Sequence, residues 1–353
     1  VYQEIIAFAV KLRDLGIKRG NPVGLISDNR KEWLVTDFAI MSLGACDVPR
    51  GCDSMGKEIR FILNYAKCEY SFFENTKQLQ KVLENISEVP NLKVAILFDE
   101  CSEEVLDLAN EQGLKVLFYK DLLEDGKNLL DKDPHLKAIV ESEMGMTDGN
   151  EVATMIFTSG TTGTPKGVML THRNFLAQLE IIPDVLPAKA DETWLSVLPV
   201  WHSFERCIQY IVIALKSSIA YSKPVASVML SDFATIKPQW MCGVPRLWES
   251  LVTGIYRTMK KAGGIKYAMF KFFVSVGKKF AWCKAHLTGC VCQYKRRLRW
   301  LDAVVAFIPF ILLLPLNALG EVLVFKKIRE KLGGNFIAAI SGGGALQREV
   351  DEF

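Results

Sequence analysis

The chain has 353 residues, half of them apolar and 24% charged, with a formal net charge of +3. That balance suits a globular protein with room for a large core or two, and it gives no general affinity for nucleic acid. Its nine cysteines form no C-x-x-C pair and are odd in number, which suits free thiols in a reducing compartment.

Apolar runs and polar helical stretches alternate along the chain. Val23–Ser27 reads as a strand and Lys31–Leu43 as a helix stopped by Gly44. Glu69–Phe73 and Val94–Phe98 read as strands. Asp125–Asn150, polar and rich in Asp, Glu and Gly, reads as a linker between two lobes. Val152–Phe157 is an apolar run with the character of a buried strand. Thr193–Leu198 reads as a strand, and Phe204–Lys216 as a helix apolar on most faces. Ile219–Ser222, Trp240–Val244 and Phe336–Ile340 look like short strands. This rhythm predicts an α/β fold with mixed, mostly parallel sheets wrapped by helices. Gly263–Leu332 stands apart, with Phe270, Phe272, Phe273, Phe280, Trp282 and Trp300 set among lysines. Within it Ala303–Leu316 is almost purely apolar. Lys295, Arg296, Arg297 and Arg299 precede it, and Lys326, Lys327, Arg329 and Lys331 follow. Such a run is a buried hairpin or core helix, or else a monotopic membrane contact whose basic flanks meet anionic lipid. Pro309 and Pro315 break the run, and Asn317, Gly320 and Glu321 end it, short of the ~20 residues that a membrane span needs.

The most informative stretch is Phe157-Thr158-Ser159-Gly160-Thr161-Thr162-Gly163-Thr164-Pro165-Lys166-Gly167-Val168, which follows directly on a strand. Glycine lets backbone N–H groups approach an oxyanion closely, and successive N–H groups make an anion-binding nest. Thr158, Ser159, Thr161 and Thr162 add hydroxyl donors, and Lys166 adds a point charge suited to phosphate. This is not a Walker A loop, which needs Gly, four residues and then Gly-Lys-Ser/Thr; here Lys166 is followed by Gly167. The composition suits a polyphosphate, and the competing reading is a flexible Gly/Thr surface turn.

Other residues carry weaker signals. His202 follows Trp201 at a strand end, where a lone histidine is more often structural than functional. Glu205 and Arg206 read equally well as a simple pair on a helix surface. Gly342-Gly343-Gly344 follows the strand Phe336–Ile340 and by itself marks a turn. In Gly243-Val244-Pro245-Arg246 a strand ends and Pro245 opens a helix. Cys283, His286, Cys290 and Cys292 fit no common zinc framework, although 283, 286 and 290 would share a helix face.

Thr158–Gly167 resembles the signature of the adenylate-forming enzymes, which include acyl-CoA synthetases, luciferases and peptide-synthetase adenylation domains. Leu198-Pro199-Val200-Trp201-His202-Ser203-Phe204-Glu205-Arg206 resembles the Leu-Pro-x-x-His-x-x-Glu-Arg segment of long-chain acyl-CoA synthetases. Lys237–Glu249 is similar to that family's Gly-Val-Pro-Arg segment, and Leu323–Glu330 and Ser341–Leu346 continue the match in order. The resemblance implies the large N-terminal domain of such an enzyme. Its first lobe would cover 1–150. Its second, 151–353, would hold the phosphate loop, the acyl pocket and the apolar, basic insertion at about 263–332. The Tyr-Gly-x-Thr-Glu motif, the ribose-binding Thr-Gly-Asp segment and the C-terminal domain with its catalytic lysine are absent. The expectation is a domain truncated at both ends that does not complete the reaction alone.

The reaction implied is ATP-dependent activation of a long-chain fatty acid to acyl-adenylate and then acyl-CoA, using ATP, Mg2+ and CoA. Thr158, Ser159, Gly160, Thr161, Thr162, Gly163, Thr164, Lys166 and Gly167 would hold the phosphates, with Thr161 meeting Mg2+ through ATP. Gly342, Gly343, Gly344 and Ala345 would lie against the adenine, in a mild departure from the family's usual Gly-Ala-Ala or Gly-Gly-Ala. Trp201, His202, Gly243 and Val244 would form the acyl pocket, and His202 and Lys166 are the catalytic candidates. The alternatives are a non-catalytic nucleotide- or lipid-binding remnant of a truncated synthetase, or an adenylating ligase for another carboxylic acid. The expected partners are fatty acid, ATP and CoA, without nucleic acid; a peripheral membrane contact through 295–331 and a homodimer are further candidates. The expected location is cytoplasmic, peripheral to the inner face of the membrane.

Overall fold

The computed structural model describes residues 1–159, 165–291 and 299–353. The chain divides into two units, Val1–Ala188 with Pro199–Ala214, and Lys189–Leu198 with Leu215–Phe353.

The strands of the first unit are β1 (Pro22–Ile26), β2 (Cys46–Arg50), β3 (Tyr70–Phe73), β4 (Val94–Leu97), β5 (Lys115–Phe118), β6 (Val152–Ser159) and β7 (Pro165–Thr171). They form one sheet in the order β5-β4-β3-β1-β2-β6-β7, parallel except for the β6–β7 hairpin. Its helices are α1 (Tyr2–Asp14), α2 (Lys31–Ser42), α3 (Gly56–Tyr65), α4 (Thr76–Leu83), α5 (Glu103–Glu111), α6 (Tyr119–Lys132), α7 (His135–Gly145), α8 (His172–Val185) and α9 (Ser203–Ala214). Alternate strand residues point to opposite faces of a sheet. Leu25, Phe72 and Ile96 therefore join one core with Phe8 of α1, Trp33 of α2 and Leu122 of α6, while Ile26, Phe73 and Leu97 join another with Ile59 of α3, Leu79 of α4 and Val105 of α5. A sheet covered on both faces explains the continuous apolar runs of its strands.

Two expectations change here. Asp125–Asn150 is not a linker: it holds the end of α6 and all of α7, with Leu129, Leu130, Leu136 and Val140 packed on the core that α1 and α2 share. The lobes do not divide at 150 either, because β6 and β7 extend the sheet of the first unit past that point.

The second unit has a four-stranded parallel sheet of β8 (Thr193–Ser196), β9 (Ser218–Tyr221), β10 (Trp240–Gly243) and β11 (Ala338–Ser341), in the order β11-β10-β8-β9. The Trp194 and Trp240 rings stack across β8 and β10 at 5.2 Å, and the Trp240 indole donates to Glu192 at 2.7 Å. Its helices are α10 (Ala226–Ile236), α11 (Pro245–Ala262), α12 (Gly264–Thr288), α13 (Arg299–Gly320), α14 (Lys326–Lys331) and α15 (Arg348–Asp351). The predicted insertion is an α12–α13 hairpin. Pro309 and Pro315 lie inside α13 and do not break it, and the helical path runs on through a π turn at Glu321–Phe325 into α14. Each proline removes one backbone donor. Packing along α12, such as Phe280 on Phe310 at 4.9 Å, holds the helix together.

A buried charge cluster secures α9. Arg206 donates from Nη1 to Asp47 Oδ2 at 3.0 Å, from Nη2 to Asp47 Oδ1 at 2.7 Å and also to Asp37. Its Nε donates to the Tyr210 hydroxyl at 2.6 Å, which in turn donates to Asp37 Oδ2 at 2.6 Å. All four side chains are buried, so the surface reading of Glu205 and Arg206 does not hold. Burial pushes the Asp37 carboxyl up to about 7, against the pull of Arg206. Arg206→Met is expected to destabilise the full-length protein by roughly 3–5 kcal/mol in chemical denaturation, since it strands two buried carboxylates. Adding Asp37→Asn and Asp47→Asn should recover much of that loss.

Candidate functional site

In the first unit, β6 and β7 pair with Ser159 opposite Pro165, Thr158 opposite Lys166 and Phe157 opposite Gly167. The Gly/Thr-rich stretch thus lies between the paired ends of two antiparallel strands. Gly160, Thr161, Thr162, Gly163 and Thr164 lie outside the described residues, as does the side chain of Ser159. Cross-strand partners share a face. Thr158 and Lys166 therefore stand side by side where the two strands meet the segment 160–164, both exposed. On the other face Phe157 is buried, and a Cβ on Gly167 would meet its ring at 3.1 Å.

The segment before α9 is anchored in the same unit. The Val200 amide donates to Asn29 Oδ1 at 2.9 Å, and the His202 amide to the Pro199 carbonyl at 3.0 Å. His202 stands just before α9, where its Nδ1 accepts the Phe204 amide at 3.3 Å. An Nδ1 that accepts leaves the proton on Nε2, so the exposed ring offers a donor to solvent. Trp201 lies over Gly51, whose Cβ would meet the indole Nε1 at 2.2 Å, and the Arg50 guanidinium sits on the Trp201 ring at 4.8 Å. Arg50 also donates to the Phe157 carbonyl at 3.3 Å, to Ser54 Oγ at 2.9 Å and to Glu58 at 2.5 Å. One guanidinium therefore ties Trp201 to strand β6, which leads into the glycine-rich segment. Sequence reasoning missed both Arg50 and Gly51, because Pro49 disguises β2 as a non-strand. The only signal was an Arg-Gly pair after Val48-Pro49.

In the second unit, β10 and β11 end together, with Gly243 opposite Ser341, and the Gly342 amide donates to the Gly243 carbonyl at 3.1 Å. Gly343 has φ +76°, a left-handed conformation that favours glycine, and its Cβ would stand 3.7 Å from Val244. The predicted pairs Gly243–Val244 and Gly342–Gly344 are thus neighbours, with Gly343, Gly344 and Ala345 exposed. A Cβ on Gly243 would meet the Trp248 ring at 2.8 Å. Trp248 helps line a cavity of about 670 Å³ with Phe233, Leu251, Val252, Phe336 and Ser341, and Lys278, Lys284 and Arg329 also reach its wall. That volume lies in the range of small-molecule sites. Trp201 and His202 belong to the first unit, and Gly243, Val244 and Gly342–Ala345 to the second.

Among the described residues, Cys283, His286 and Cys290 are not brought together as a metal site. Cys283 is buried, Cys290 is exposed, and His286 rests on the Trp282 ring at 3.9 Å; Cys292 lies outside the described residues. Among the described residues, three potential ligands converge within 4.8 Å only at Asp28, Cys52 and Glu74. There Glu74 already accepts from Ser27 Oγ at 3.0 Å and the Asp28 amide at 2.8 Å, and burial raises the Cys52 thiol above its usual range.

The sequence profile of the AMP-binding enzyme family matches residues 1–353. A long-chain-fatty-acid–[acyl-carrier-protein] ligase, named chloroplastic, from Arabidopsis thaliana is 30% identical over 99% of this chain and 48% of its own length. A peroxisomal long chain acyl-CoA synthetase from the same plant is 29% identical over 96% of this chain and 42% of its own. Among solved structures, the adenylation domain of a carboxylate reductase from Mycobacterium chelonae aligns with a TM-score of 0.64 at 18% identity, covering 99% of this chain and 47% of that one. That likeness shows the fold. The chain spans about half the length of the curated relatives it matches.

Gly51→Ala is expected to cost roughly 1–3 kcal/mol by driving a methyl group into Trp201. A denaturation double-mutant cycle with Trp201→Ala checks this: the cost should largely vanish once the ring is gone.

Proposed function

This chain belongs to the AMP-binding enzyme family, and we propose that it supplies the ATP phosphate loop and the acyl site of a long-chain fatty acid–CoA ligase. In the first half-reaction a fatty-acid carboxylate oxygen attacks the α-phosphorus of ATP, the bond to the β-phosphate bridge breaks, and pyrophosphate leaves. In the second, the CoA thiolate attacks the acyl carbon, AMP departs with the electron pair of the broken C–O bond, and the thiol proton passes to solvent. Neither half needs a covalent nucleophile on the protein, so positioning and charge stabilisation carry the rate.

The observation that supports this reading is the register of the β6–β7 pair, which sets Lys166 beside Thr158 next to the glycine-rich segment. Lys166, Thr158 and the backbone amides of the glycine-rich segment would then hold the departing pyrophosphate. Mg2+, which supplies charge neutralisation on phosphate oxygens, would come with ATP and meet Thr161. His202, with its Nε2 proton, would donate to the reacting carboxylate or the α-phosphate. In the second unit, the Gly342–Ala345 turn would lie against the adenine, and the cavity beside Gly243 and Trp248 would take the acyl chain. Two finer proposals concern partners: a peripheral membrane contact through 295–331, supported by the exposed apolar face of α13, and a homodimer, which light scattering tests. A cytoplasmic site of action completes the reading.

The test is palmitate-dependent exchange of pyrophosphate into ATP by the full-length protein. Exchange with benzoates or amino acids but not with palmitate would refute the long-chain reading. A thiol panel of CoA and acyl-carrier protein decides the acceptor. Lys166→Ala should lower exchange roughly 10²-fold while leaving fatty-acid affinity within about twofold; equal loss of both would mean a folding defect instead. Val252→Phe, which narrows the cavity, should shift the preference toward shorter acyl chains in a kcat/KM series.

A further inference from the structure

The α12–α13 hairpin covers only one edge of α13. Ala306, Phe310, Leu313, Asn317, Gly320 and Val324, three or four residues apart, are buried or half-buried. This is the edge that meets α12, where Phe280 stacks on Phe310 and a Cβ on Gly320 would meet Phe273 at 2.7 Å. The rest of the circumference is open and apolar. Ile308 is 66% exposed and Leu312 68%, with Val305, Ile311 and Leu319 also exposed. No charged residue occurs between Asp302 and Glu321. A surface helix of a water-soluble unit carries polar residues on that side, and an apolar patch of this extent marks an interaction site. The stretch Trp300–Lys331 is long and apolar enough to cross a membrane.

Charge selects the occupant and the depth. Lys271, Lys279 and Lys284 of α12 and Lys326, Lys327 and Lys331 of α14 are exposed. Of the acids at the ends of the apolar stretch, Glu321 pairs with Arg329. Cations beside an apolar face complement an anionic bilayer surface rather than a second, equally basic copy of the hairpin. Because α12 stays packed along α13 and carries lysines through its middle, the hairpin cannot cross the hydrocarbon without burying those charges. The outer face of α13 can sink on the order of 5–10 Å while long lysine side chains reach back to the phosphates.

We propose that the α12–α13 hairpin lies in the plane of one leaflet of an anionic membrane, with the outer face of α13 among the acyl chains and the lysines of α12 and α14 at the headgroups. This rests on the membrane contact in the reading above and gives it a face, a depth and a lipid class.

Vesicle flotation of the full-length protein tests it, using phosphatidylcholine alone and phosphatidylcholine with phosphatidylglycerol. The wild type should float with the mixed vesicles and much less with phosphatidylcholine alone. Ile308→Asp with Leu312→Asp should abolish flotation. Lys326→Glu with Lys327→Glu should lower partitioning into the mixed vesicles at least ~10-fold. A wild type that floats with neither vesicle, or flotation indifferent to the aspartate pair, would overturn the proposal. So would a vesicle-free dimer that the aspartate pair turns into monomer, which would give the face to a second copy. Retention through both high salt and alkaline carbonate would replace the in-plane arrangement with a span. Palmitate-dependent pyrophosphate exchange in detergent is measured on the same samples. Flotation without exchange in the wild type would count against the ligase reading and leave the membrane inference standing.

Discussion

The contact on which the first unit depends is one guanidinium held between two carboxylates. Pro199–Ala214 belongs to the first unit although the chain on either side of it belongs to the second. Arg206 explains how such an excursion is held. Its side chain is fully buried among the rings of Trp33, Phe175 and Tyr210, at 5.4, 5.5 and 5.6 Å, and it reaches Asp37 on α2 and Asp47 on β2. A buried cation that lost these partners would be far costlier than an exposed one, so α9 has no acceptable alternative seat. A hydrophobic contact of similar area would tolerate a slipped helix; a bidentate pair does not.

Fixing α9 fixes what precedes it. His202 lies four residues before Arg206, and the Arg206 amide donates to the His202 carbonyl at 3.2 Å. The imidazole also accepts the Phe204 amide, so its tautomer follows from helix geometry rather than from a partner side chain. Trp201, one residue earlier, is clamped by Arg50 and rests on Gly51. Arg50 in turn holds the Phe157 carbonyl, close to the start of the glycine-rich segment. Two arginines, one buried and one at the rim, therefore position the histidine and the tryptophan, and the second links that tryptophan to strand β6.

The sequence showed the two-faced strands plainly, because a parallel sheet covered on both sides forces unbroken apolar runs such as Val23–Ile26 and Val94–Leu97. The strand β2 escaped because Pro49 sits within it, although it pairs with β1 along its whole length. The helices α6 and α7 escaped because Gly126 and many charged residues look like a linker. Gly126 is there because α1 passes so close that a Cβ would meet the Ala7 carbonyl at 2.0 Å. Of the candidate site, the motif residues were legible from their order along the chain, but their supports were not. Arg50, Asp37 and Asp47 stand far from Trp201 and Arg206 in sequence, and nothing local in their surroundings announces a partner.

The glycines of the site show why a motif does not by itself assign a role. Gly167 and Gly243 both lie in family-like segments, yet each is required by a ring: Phe157 over the first and Trp248 over the second. A side chain at either would first disturb packing, and any effect on a ligand would follow from that. Gly343 differs, because its Cβ would meet nothing closer than 3.7 Å while its φ of +76° strains any other residue. Its constraint is conformational: the turn carries an exposed stretch of backbone that a flat ligand can approach without meeting a side chain. Ring-bound glycines mark where the fold is tight, and a glycine with open space and a positive φ marks where the backbone itself is offered. By that criterion the Gly342–Gly344 turn is the better candidate for direct ligand contact than either glycine that brackets a strand.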